Sequence, residues 1–342
     1  MIKVLKKTTE FSSYLFMFVS DGKKISGQLN LPNKTGKLPV IVMIRGYVDK
    51  EIYATGVGTR RASEAFAQRG YITVAPDFSG YGESDPESND IFEARFEKPA
   101  TMLNLLASIR ILPQADPERI GLWGHSNGGQ IALSILEITQ KTYPTVLWAP
   151  VTQGFPDSVL QYIDELLDKG VYITGELDKF HERYTDDEYS IAAHWDDIVA
   201  PIQIHQGLAD EEVKSEQTKA TVETLQKLKK SVTYFTYPKE DHNFNQGSFA
   251  TMMQKDFKFF EEKLWMCAAV DNNPDWKYKT SDKKGYRRDG GDVENRKSWL
   301  EYRLGGNAKN VARNELHIKP VWTNVSFLSF KGTSNIFVVE YF

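Results

Sequence analysis

The sequence predicts an α/β protein whose mostly parallel central sheet is covered by helices on both faces. Between residue 11 and about residue 265, short β-rich runs alternate with helical stretches, which is typical of such a sheet. Several β-rich runs are apolar at every position, as strands buried on both faces are. The length of 342 residues and the 41% hydrophobic content allow a sizeable core.

The individual elements follow in order along this part of the chain. The runs 11–20 and 24–32 flank Asp21-Gly22 and predict an opening hairpin. Six further runs are predicted as core strands, at 38–46, 71–78, 119–126, 143–150, 200–207 and 231–238. Helical stretches are predicted at 59–70, 96–112, 128–140, 214–230 and 249–265. The apolar run 14–19 after a basic start is too short for a secretory signal, and an Asp-Gly turn follows it at once.

One predicted connection is much longer than the others. About fifty residues separate Pro150 from Pro201, whereas α/β loops usually have about 2 to 6. Residues 151–200 therefore predict an inserted helical cap. Two interpretations of its aromatic residues stay open, packing of the cap onto the sheet or contact with a substrate. These residues are Tyr162, Tyr172, Tyr184, Tyr189 and Trp195.

The regular alternation stops after Trp265. We therefore predict one domain over residues 1–266 and a C-terminal tail over residues 267–342. Within the tail, 277–297 is polar enough for an exposed or disordered linker, and 325–342 predicts two strands around a turn. The sequence assigns the tail no function, and a non-native extension is an alternative to a native segment.

Charge and cysteine content exclude several classes of protein. A formal net charge of -4 gives no global basic surface for nucleic acid, and no apolar run approaches the ~20 residues that a membrane helix needs. The single cysteine, Cys267, excludes an intramolecular disulfide and any CxxC metal or redox motif. We therefore expect a cytoplasmic protein with a small-molecule partner, no metal and no organic cofactor, and the oligomeric state stays open.

The segment 121–136, GLWGHSNGGQIALSIL, carries the strongest candidate for chemistry. Gly124, Ser126 and Gly128 fit the pattern GxSxG between a predicted strand and a predicted helix. A serine at such a turn has a strained backbone, and glycines flank it because strand and helix pass too close for a Cβ. We predict that Ser126 is a nucleophile, and a tight structural turn is the alternative.

A serine nucleophile requires a histidine base and an orienting acid, and in this fold they follow the serine in the order acid, histidine. Asp210 comes just after the strand 200–207, and His242 comes just after the strand 231–238. Loops at the carboxyl ends of parallel strands gather at one edge of the sheet. We therefore predict Asp210 as the acid and His242 as the base.

Other residues compete for both roles. Glu211, Glu212 and Asp241 are the alternatives for the acid. His125 adjoins the serine, but we expect it to point away from the elbow, and His205 lies inside an apolar strand. His181, His194 and His317 lie in the cap and the tail. None of these histidines follows a core strand in the required order.

An acyl transfer also needs hydrogen-bond donors for the developing oxyanion. The backbone N–H of Asn127 is one candidate, because it begins the predicted helix after the serine. The second is expected in the loop Arg45-Gly46-Tyr47, where Tyr47 offers its N–H or its phenol. A simple packing role for the Tyr47 ring is the alternative.

Taken together, residues 11 to about 265 resemble an α/β-hydrolase of the prolyl oligopeptidase and dienelactone hydrolase branch. The resemblance rests on DFSGYGES at 77–84, DPERIGLWGHS at 116–126, GHSNGG at 124–129, GLADEEV at 207–213 and EDHNF at 240–244. It implies the α/β-hydrolase fold, with Ser126 as nucleophile, His242 as base, Asp210 as acid, and Tyr47 and Asn127 around the oxyanion. The family usually has His-Gly where this chain has Arg45-Gly46.

We predict a serine hydrolase that cleaves carboxylic esters through an acyl-enzyme. Only about ten residues precede the first predicted strand, where oligopeptidases of this branch carry a propeller domain that filters peptides, so a stand-alone esterase is favoured. The cap aromatics would suit an aryl ester such as a feruloyl ester.

Two alternative functions stay open. A serine peptidase or aminopeptidase for short peptides would use the same residues, and cap acids such as Glu165 and Glu176 would recognise a free α-amine. A non-catalytic binding protein on a hydrolase scaffold is the second alternative, although it would not need nucleophile, acid and base together.

Overall fold

A computed structural model describes residues 3–163 and 168–271, with side chains up to Leu264, and arranges nine strands in one sheet. The strands are β1 (Lys3–Lys7), β2 (Phe11–Ser20), β3 (Lys23–Pro32), β4 (Leu38–Ile44), β5 (Ile72–Pro76), β6 (Ala115–His125), β7 (Thr145–Trp148), β8 (Ile202–Gly207) and β9 (Val232–Tyr237). Their spatial order is β1-β2-β3-β5-β4-β6-β7-β8-β9. Pairing is antiparallel from β1 through β3 to β5 and parallel from β5 to β9. The predicted α/β fold with a mostly parallel sheet is confirmed.

Helices cover both faces of this sheet. They are α1 (Arg60–Arg69), α2 (Ile91–Ser108), α3 (Asn127–Thr139), α4 (Asp157–Leu160), α5 (Val171–His181), α6 (Ser215–Lys227) and α7 (Phe249–Asp271). Strand β4 is buried throughout because its alternate residues enter two separate cores. Val40, Val42 and Ile44 pack in the core under α2, α3 and α6, whereas Ile41 and Met43 pack in the core under α1 and α7. The sequence of β4 is therefore apolar without alternation.

Strand β1 and the start of helix α2 differ from the sequence prediction. Strand β1 was not predicted; it pairs antiparallel with β2, and its five side chains are all exposed, so no buried face marks it in the sequence. Helix α2 begins at Ile91 rather than at residue 96, because the Asp90 carboxylate accepts hydrogen bonds from the N–H groups of Phe92 and Glu93. Pro99 lies inside this helix.

The turn between β6 and α3 is the most constrained part of the fold. Ser126 adopts φ +56°, in the left-handed region that a side chain rarely occupies. A Cβ on Gly128 would lie 2.0 Å from the carbonyl oxygen of Ile44, and one on Gly124 would lie 2.6 Å from the carbonyl oxygen of Gly128. Helix α3 therefore starts in direct backbone contact with the end of β4, which only glycine permits.

The segment between β7 and β8 contains α4, α5 and three short 3-10 helices, and residues 164–167 within it lie outside the described part. Aromatic residues of this segment, among them Phe155, Phe180 and Tyr189, form a separate small core with Phe92 of α2. Tyr184 packs against this core, whereas Trp195 joins the core under α2 and α3. Packing thus explains Tyr184, Tyr189 and Trp195, whereas Tyr172 is 53% exposed.

The end of the chain limits what can be compared with the sequence. Helix α7 continues to Asp271, past the predicted end at residue 265. The predicted linker at 277–297 and the two predicted strands at 325–342 lie outside the described residues. Among the helices that are described, none has the length and apolar content required to cross a membrane.

The backbone contact at Gly128 predicts a strong effect of one added methyl group. We expect Gly128→Ala to lower the free energy of unfolding by about 2 kcal/mol or more, because the new Cβ meets the Ile44 carbonyl and α3 must shift. Gly175→Ala is the matched control, since Gly175 lies in α5 and a Cβ added there would have no atom within 4 Å. That change should stabilise slightly, by about 0.5 kcal/mol. Urea unfolding of both variants tests this, and equal effects would contradict it.

Candidate active site

The predicted nucleophile, Ser126, stands between the end of β6 and the first residue of α3. Its N–H donates to the carbonyl of Trp148 at 3.0 Å, and its own carbonyl accepts from the N–H groups of Gly129 (2.9 Å) and Val151 (3.0 Å). These bonds hold the turn from three sides while the residue remains partly exposed. The backbone of Ser126 is thus fixed by hydrogen bonds, and the residue is partly accessible to a small molecule.

The loops after β8 and β9 bring the predicted acid and base together. His242 Nδ1 lies 2.9 Å from Asp210 Oδ2 and 3.1 Å from Oδ1. The Asp210 carboxylate also accepts from the N–H groups of Glu212 (3.0 Å) and Val213 (2.9 Å) and from Gln206 Nε2 (3.0 Å). Its side chain is fully buried, whereas Glu211 and Glu212 are exposed. The carboxylate that contacts the imidazole is therefore that of Asp210.

Asp241, the remaining alternative for the acid, has a different task. Its carboxylate accepts from the N–H groups of Asn243 (2.9 Å) and Asn245 (3.2 Å) and so shapes the loop that carries His242. Within the described chain, the Ser126 hydroxyl has no hydrogen bond to His242. Such contacts are often long in unliganded enzymes and shorten when substrate binds.

The ring of His125 contacts the loop that carries His242. Its Nε2–H donates to the backbone carbonyl of His242 at 2.9 Å, and the two imidazole rings lie 4.8 Å apart. Burial, and then the nearby His242, lower the pKa of His125 to about 4. His125 is therefore a neutral donor that ties the elbow to the histidine loop.

The loop after β4 lies directly against the elbow. A Cβ on Gly46 would be 2.8 Å from the Ser126 Cβ and 3.3 Å from its Oγ, so a side chain at this position would displace Ser126. The phenol of Tyr47 donates to Asp49 at 2.8 Å, and the residue is 75% exposed. This hydrogen bond, more than burial, raises the pKa of Tyr47 to about 12. The phenol of Tyr47 is thus engaged in a hydrogen bond at the surface.

Arg45 occupies the position where the family usually has histidine, and it is 4% exposed. Its Nη1 donates to the carbonyl of Gly46 at 2.9 Å and its Nη2 to the carbonyl of Asp77 at 2.7 Å. The guanidinium carbon lies 4.0 Å from the ring centre of Tyr81 and 4.5 Å from that of Tyr53. Arg45 therefore fixes the peptide between Gly46 and Tyr47.

Asn127, the other predicted oxyanion donor, is the first residue of α3. The first N–H groups of a helix have no partner within the helix and favour negative charge. No backbone carbonyl of the described chain accepts from the Asn127 N–H. This N–H belongs to the residue that directly follows Ser126 in the chain.

The sequence interpretation missed three cationic or titratable residues near the elbow, namely His125, Arg45 in its contact with Gly46, and Arg95 of α2. Adjacency to Ser126 was the available signal for His125, and the departure from His-Gly was the signal for Arg45. Nothing in the sequence distinguishes Arg95 from a surface arginine. Among the described residues, no group of three or more His, Cys, Asp or Glu side chains could hold a metal ion.

Solved structures with the same fold include both peptidases and esterases. Acylaminoacyl peptidase from Pyrococcus horikoshii aligns with 75% of this chain at a TM-score of 0.58 and 22% identity, and the aligned part is 42% of that enzyme. A Butyrivibrio proteoclasticus protein solved with bound ferulic acid aligns with 73% of this chain and 99% of its own length, at a TM-score of 0.54 and 18% identity.

Among known sequences, a protein described as a putative carboxymethylenebutenolidase from Synechocystis is 24% identical in an alignment of 284 positions that covers 75% of this chain and 99% of that protein. These similarities agree with the predicted resemblance. Because residues 59–266, more than half of the chain and including Ser126, Asp210 and His242, match the prolyl oligopeptidase family, the chain belongs to that family.

Proposed function

We propose that this protein hydrolyses carboxylic esters through an acyl-enzyme formed on Ser126. The observation that carries the proposal is the Asp210–His242 hydrogen bond at 2.9 Å beside a serine held at φ +56°. The family and its relatives point to a serine hydrolase of the esterase or peptidase type. The choice of an ester is our inference.

In the first half of the reaction, Ser126 Oγ attacks the ester carbonyl carbon and its proton passes to His242 Nε2. The Nδ1–H of His242 donates to Asp210, which keeps Nε2 unprotonated and able to accept that proton. Asp210 also stabilises the imidazolium that forms. The tetrahedral intermediate then collapses, and the leaving alcohol takes the proton from His242.

In the second half, water replaces the alcohol. Its proton passes to His242 while its oxygen attacks the acyl carbon, and Ser126 leaves with the proton returned by the imidazolium. The products are a carboxylic acid and a free enzyme. These steps consume only ester and water.

The oxyanion of both intermediates would be stabilised by the N–H groups of Asn127 and Tyr47. The carbonyl and the N–H of one peptide unit point in opposite directions. Because Arg45 binds the carbonyl of Gly46, the Tyr47 N–H of the same peptide faces away from the guanidinium. Gly46 contacts Ser126, so we infer that this N–H serves the oxyanion. Arg45 is then a positioning residue that acts through this peptide.

The choice of ester over peptide rests on the relative that is matched along almost its whole length. It is described as a putative carboxymethylenebutenolidase, and a butenolide is a cyclic ester. The family favours the peptidase alternative, and so does the acylaminoacyl peptidase from Pyrococcus horikoshii. The alignment covers only 42% of that enzyme. Glu176, proposed to bind a free amine, pairs with Lys179 at 2.7 Å, and Glu165 lies outside the described residues.

A feruloyl or other aryl ester remains a narrower form of the proposal. The protein with bound ferulic acid shares the fold. The cap aromatics give it little support, because Tyr184 and Tyr189 pack with Phe180. Methyl ferulate therefore belongs in the substrate series as one candidate.

The first prediction concerns the nucleophile. We expect wild-type protein to hydrolyse p-nitrophenyl esters, and Ser126→Ala to lower kcat by about 10⁴-fold or more, because the acyl-enzyme cannot form. The measurement is initial rates on p-nitrophenyl acetate to decanoate, on methyl ferulate and on an alanyl-p-nitroanilide. Ser108→Ala, at the end of α2, is the control, since the Ser108 hydroxyl donates to the carbonyl of Asn104 and does not line the site.

Turnover of the alanyl-p-nitroanilide distinguishes a peptidase from an esterase. Anilide turnover as efficient as ester turnover, and dependent on Ser126, would overturn the ester proposal in favour of a peptidase. Turnover of neither substrate above the Ser126→Ala rate would favour a binding protein.

The second prediction concerns Arg45. We expect Arg45→Met to lower kcat by about 10²-fold with little change in KM, because loss of one oriented oxyanion donor has this effect. Affinity for an alkyl boronic acid, which forms a tetrahedral adduct on serine, should fall in parallel. Arg60→Met is the control, since Arg60 is exposed and donates to the Thr55 carbonyl. A raised KM with unchanged kcat would contradict the role.

The third prediction concerns stability and pH. The pKa of His125 is about 4 in the folded protein, against about 6.5 in an unfolded chain. The unfolded chain therefore binds more protons between these values, so stability rises with pH through this window and is lost as the pH falls. The titration of His125 changes the free energy of unfolding by about 3 kcal/mol at most across this window.

Urea unfolding at pH 6.5 and 4.5 measures this effect. We expect His125→Gln to show a shallower loss than the wild type, because its amide does not titrate and still reaches the His242 carbonyl. His181→Gln, which replaces an exposed histidine beside Asp186, is the control. Equal losses in all three proteins would contradict the prediction.

A further inference from the structure

A buried carboxylate of α7 takes no part in the proposed chemistry. Asp256 is fully buried. Its Oδ2 accepts from the indole Nε1–H of Trp148 at 3.0 Å, and its Oδ1 accepts from Gln203 Nε2 at 2.9 Å. The same Oδ1 lies 2.8 Å from His205 Nε2. Three side chains from the neighbouring strands β7 and β8 therefore meet on one carboxylate.

Two of these three residues also hold strained backbone beside the nucleophile. The carbonyl of Trp148 accepts from the N–H of Ser126 at 3.0 Å, and the carbonyl of His205 accepts from the N–H of Ala149 at 2.8 Å. Ser126 has φ +56° and Ala149 has φ +41°, both in the left-handed region that side chains rarely occupy. Each strained residue is thus held by a residue whose side chain ends on Asp256.

The same group of side chains reaches the loop that carries His242. The Tyr237 hydroxyl lies 2.8 Å from His205 Nδ1. Phe244, two residues after His242, is fully buried and has φ +53°. Its ring centre lies 5.6 Å from that of Trp148 and 5.8 Å from that of Tyr237. The proposed nucleophile and the proposed base are therefore both attached to this buried group.

A simple packing role explains Asp256 less well. An apolar side chain would fill the core without the cost of burying a carboxylate, whereas hydrogen bonds fix the distance and angle of each group that they join. Trp123 provides the contrast, because its ring centre lies 5.0 Å from that of Trp148 in the same core. Its indole Nε1 has no hydrogen-bond partner within the described part of the chain. This core therefore supplies an acceptor to the indole of the residue that holds Ser126, and not to its neighbour.

We propose that Asp256 is a positioning residue, which fixes the backbone of Ser126 relative to His242 by anchoring the Trp148 side chain. This inference rests on the proposed ester hydrolysis. It adds to that reaction a residue that touches neither the substrate nor the reacting atoms.

The test compares two tryptophans of one core. Trp148→Phe and Trp123→Phe each replace an indole by a smaller ring, but only the first removes a hydrogen bond to Asp256. We expect Trp148→Phe to lower kcat for p-nitrophenyl acetate by about tenfold and to change KM by less than about twofold, because Ser126 is displaced. Trp123→Phe should leave kcat within about threefold. Equal losses of kcat in the two variants would overturn the proposal.

Stability and pH dependence separate positioning from a merely structural role. Both variants are assayed well below their unfolding midpoints, and a less stable Trp148→Phe protein with wild-type kcat would overturn the proposal. The pH profile of kcat/KM should keep its apparent pKa and lose height, because the contact between Asp210 and His242 is unchanged. A shifted apparent pKa would show that the buried group acts on the charge of His242 and would overturn the positioning role.

Variants of Asp256 then test the anchor itself. Asp256→Leu should lower kcat by about tenfold or more, and Asp256→Asn by less, because its amide oxygen can still accept from the indole. In the Trp148→Phe background, the effect of Asp256→Leu should be at least about threefold smaller. An equal effect in both backgrounds would overturn the route through Trp148. If Asp256→Leu fails to fold, the two tryptophan variants decide.

A fluorophosphonate, which forms a covalent bond with an activated serine and releases fluoride, measures the same dependence without an ester. Its second-order rate constant with Ser126 should fall about tenfold in Trp148→Phe and stay within about threefold in Trp123→Phe. Equal rate constants would overturn the positioning role and leave the esterase intact. Normal modification of the wild type without Ser126-dependent ester turnover would instead overturn the proposed ester hydrolysis alone.

Discussion

The close approach between the start of α3 and the end of β4 determines the geometry of the whole site. The two backbones touch at Gly128 and Ile44, and the next contact outward joins Gly46 to Ser126. Ser126, the proposed nucleophile, directly precedes the helix, Asn127 begins it, and the strand leads into the loop that carries Tyr47. A single glycine-dependent contact therefore fixes both proposed oxyanion donors relative to Ser126, and the strained φ of that serine is maintained by the same packing.

Charges around this contact are unevenly distributed. The Asp210 carboxylate lies behind His242 and accepts hydrogen bonds from three further groups, so its negative charge is held in place and shielded. On α2, the guanidinium of Arg95 donates to the neutral side chains of Gln130 and Ser158, and it lines a cavity together with Asn127. A positive charge near Asn127 suits a developing oxyanion at the donor that we propose there.

The sequence predicted those features that depend on local patterns. Apolar runs identified the parallel strands, and chain order with loop placement predicted a pairing of Asp210 with His242, whose side chains lie 2.9 Å apart. Features that depend on tertiary contacts were missed. The contact between the His125 ring and the His242 carbonyl was missed, because the two residues are 117 positions apart in the sequence. The role of Arg45 depends on Tyr53 and Tyr81 packing over its guanidinium, which no spacing in the sequence records.

A second histidine–aspartate pair shows why residue types alone do not identify a site. His205 Nε2 lies 2.8 Å from Asp256 Oδ1, a shorter contact than the one between His242 and Asp210. Its other nitrogen, Nδ1, lies 2.8 Å from the Tyr237 hydroxyl, and both members of the pair are fully buried. Neither nitrogen of His205 is free to accept a proton from a substrate. His242 differs because its ring contacts the Asp210 carboxylate through Nδ1 and its side chain is 13% exposed, and this asymmetry suits the role of base that we propose for it.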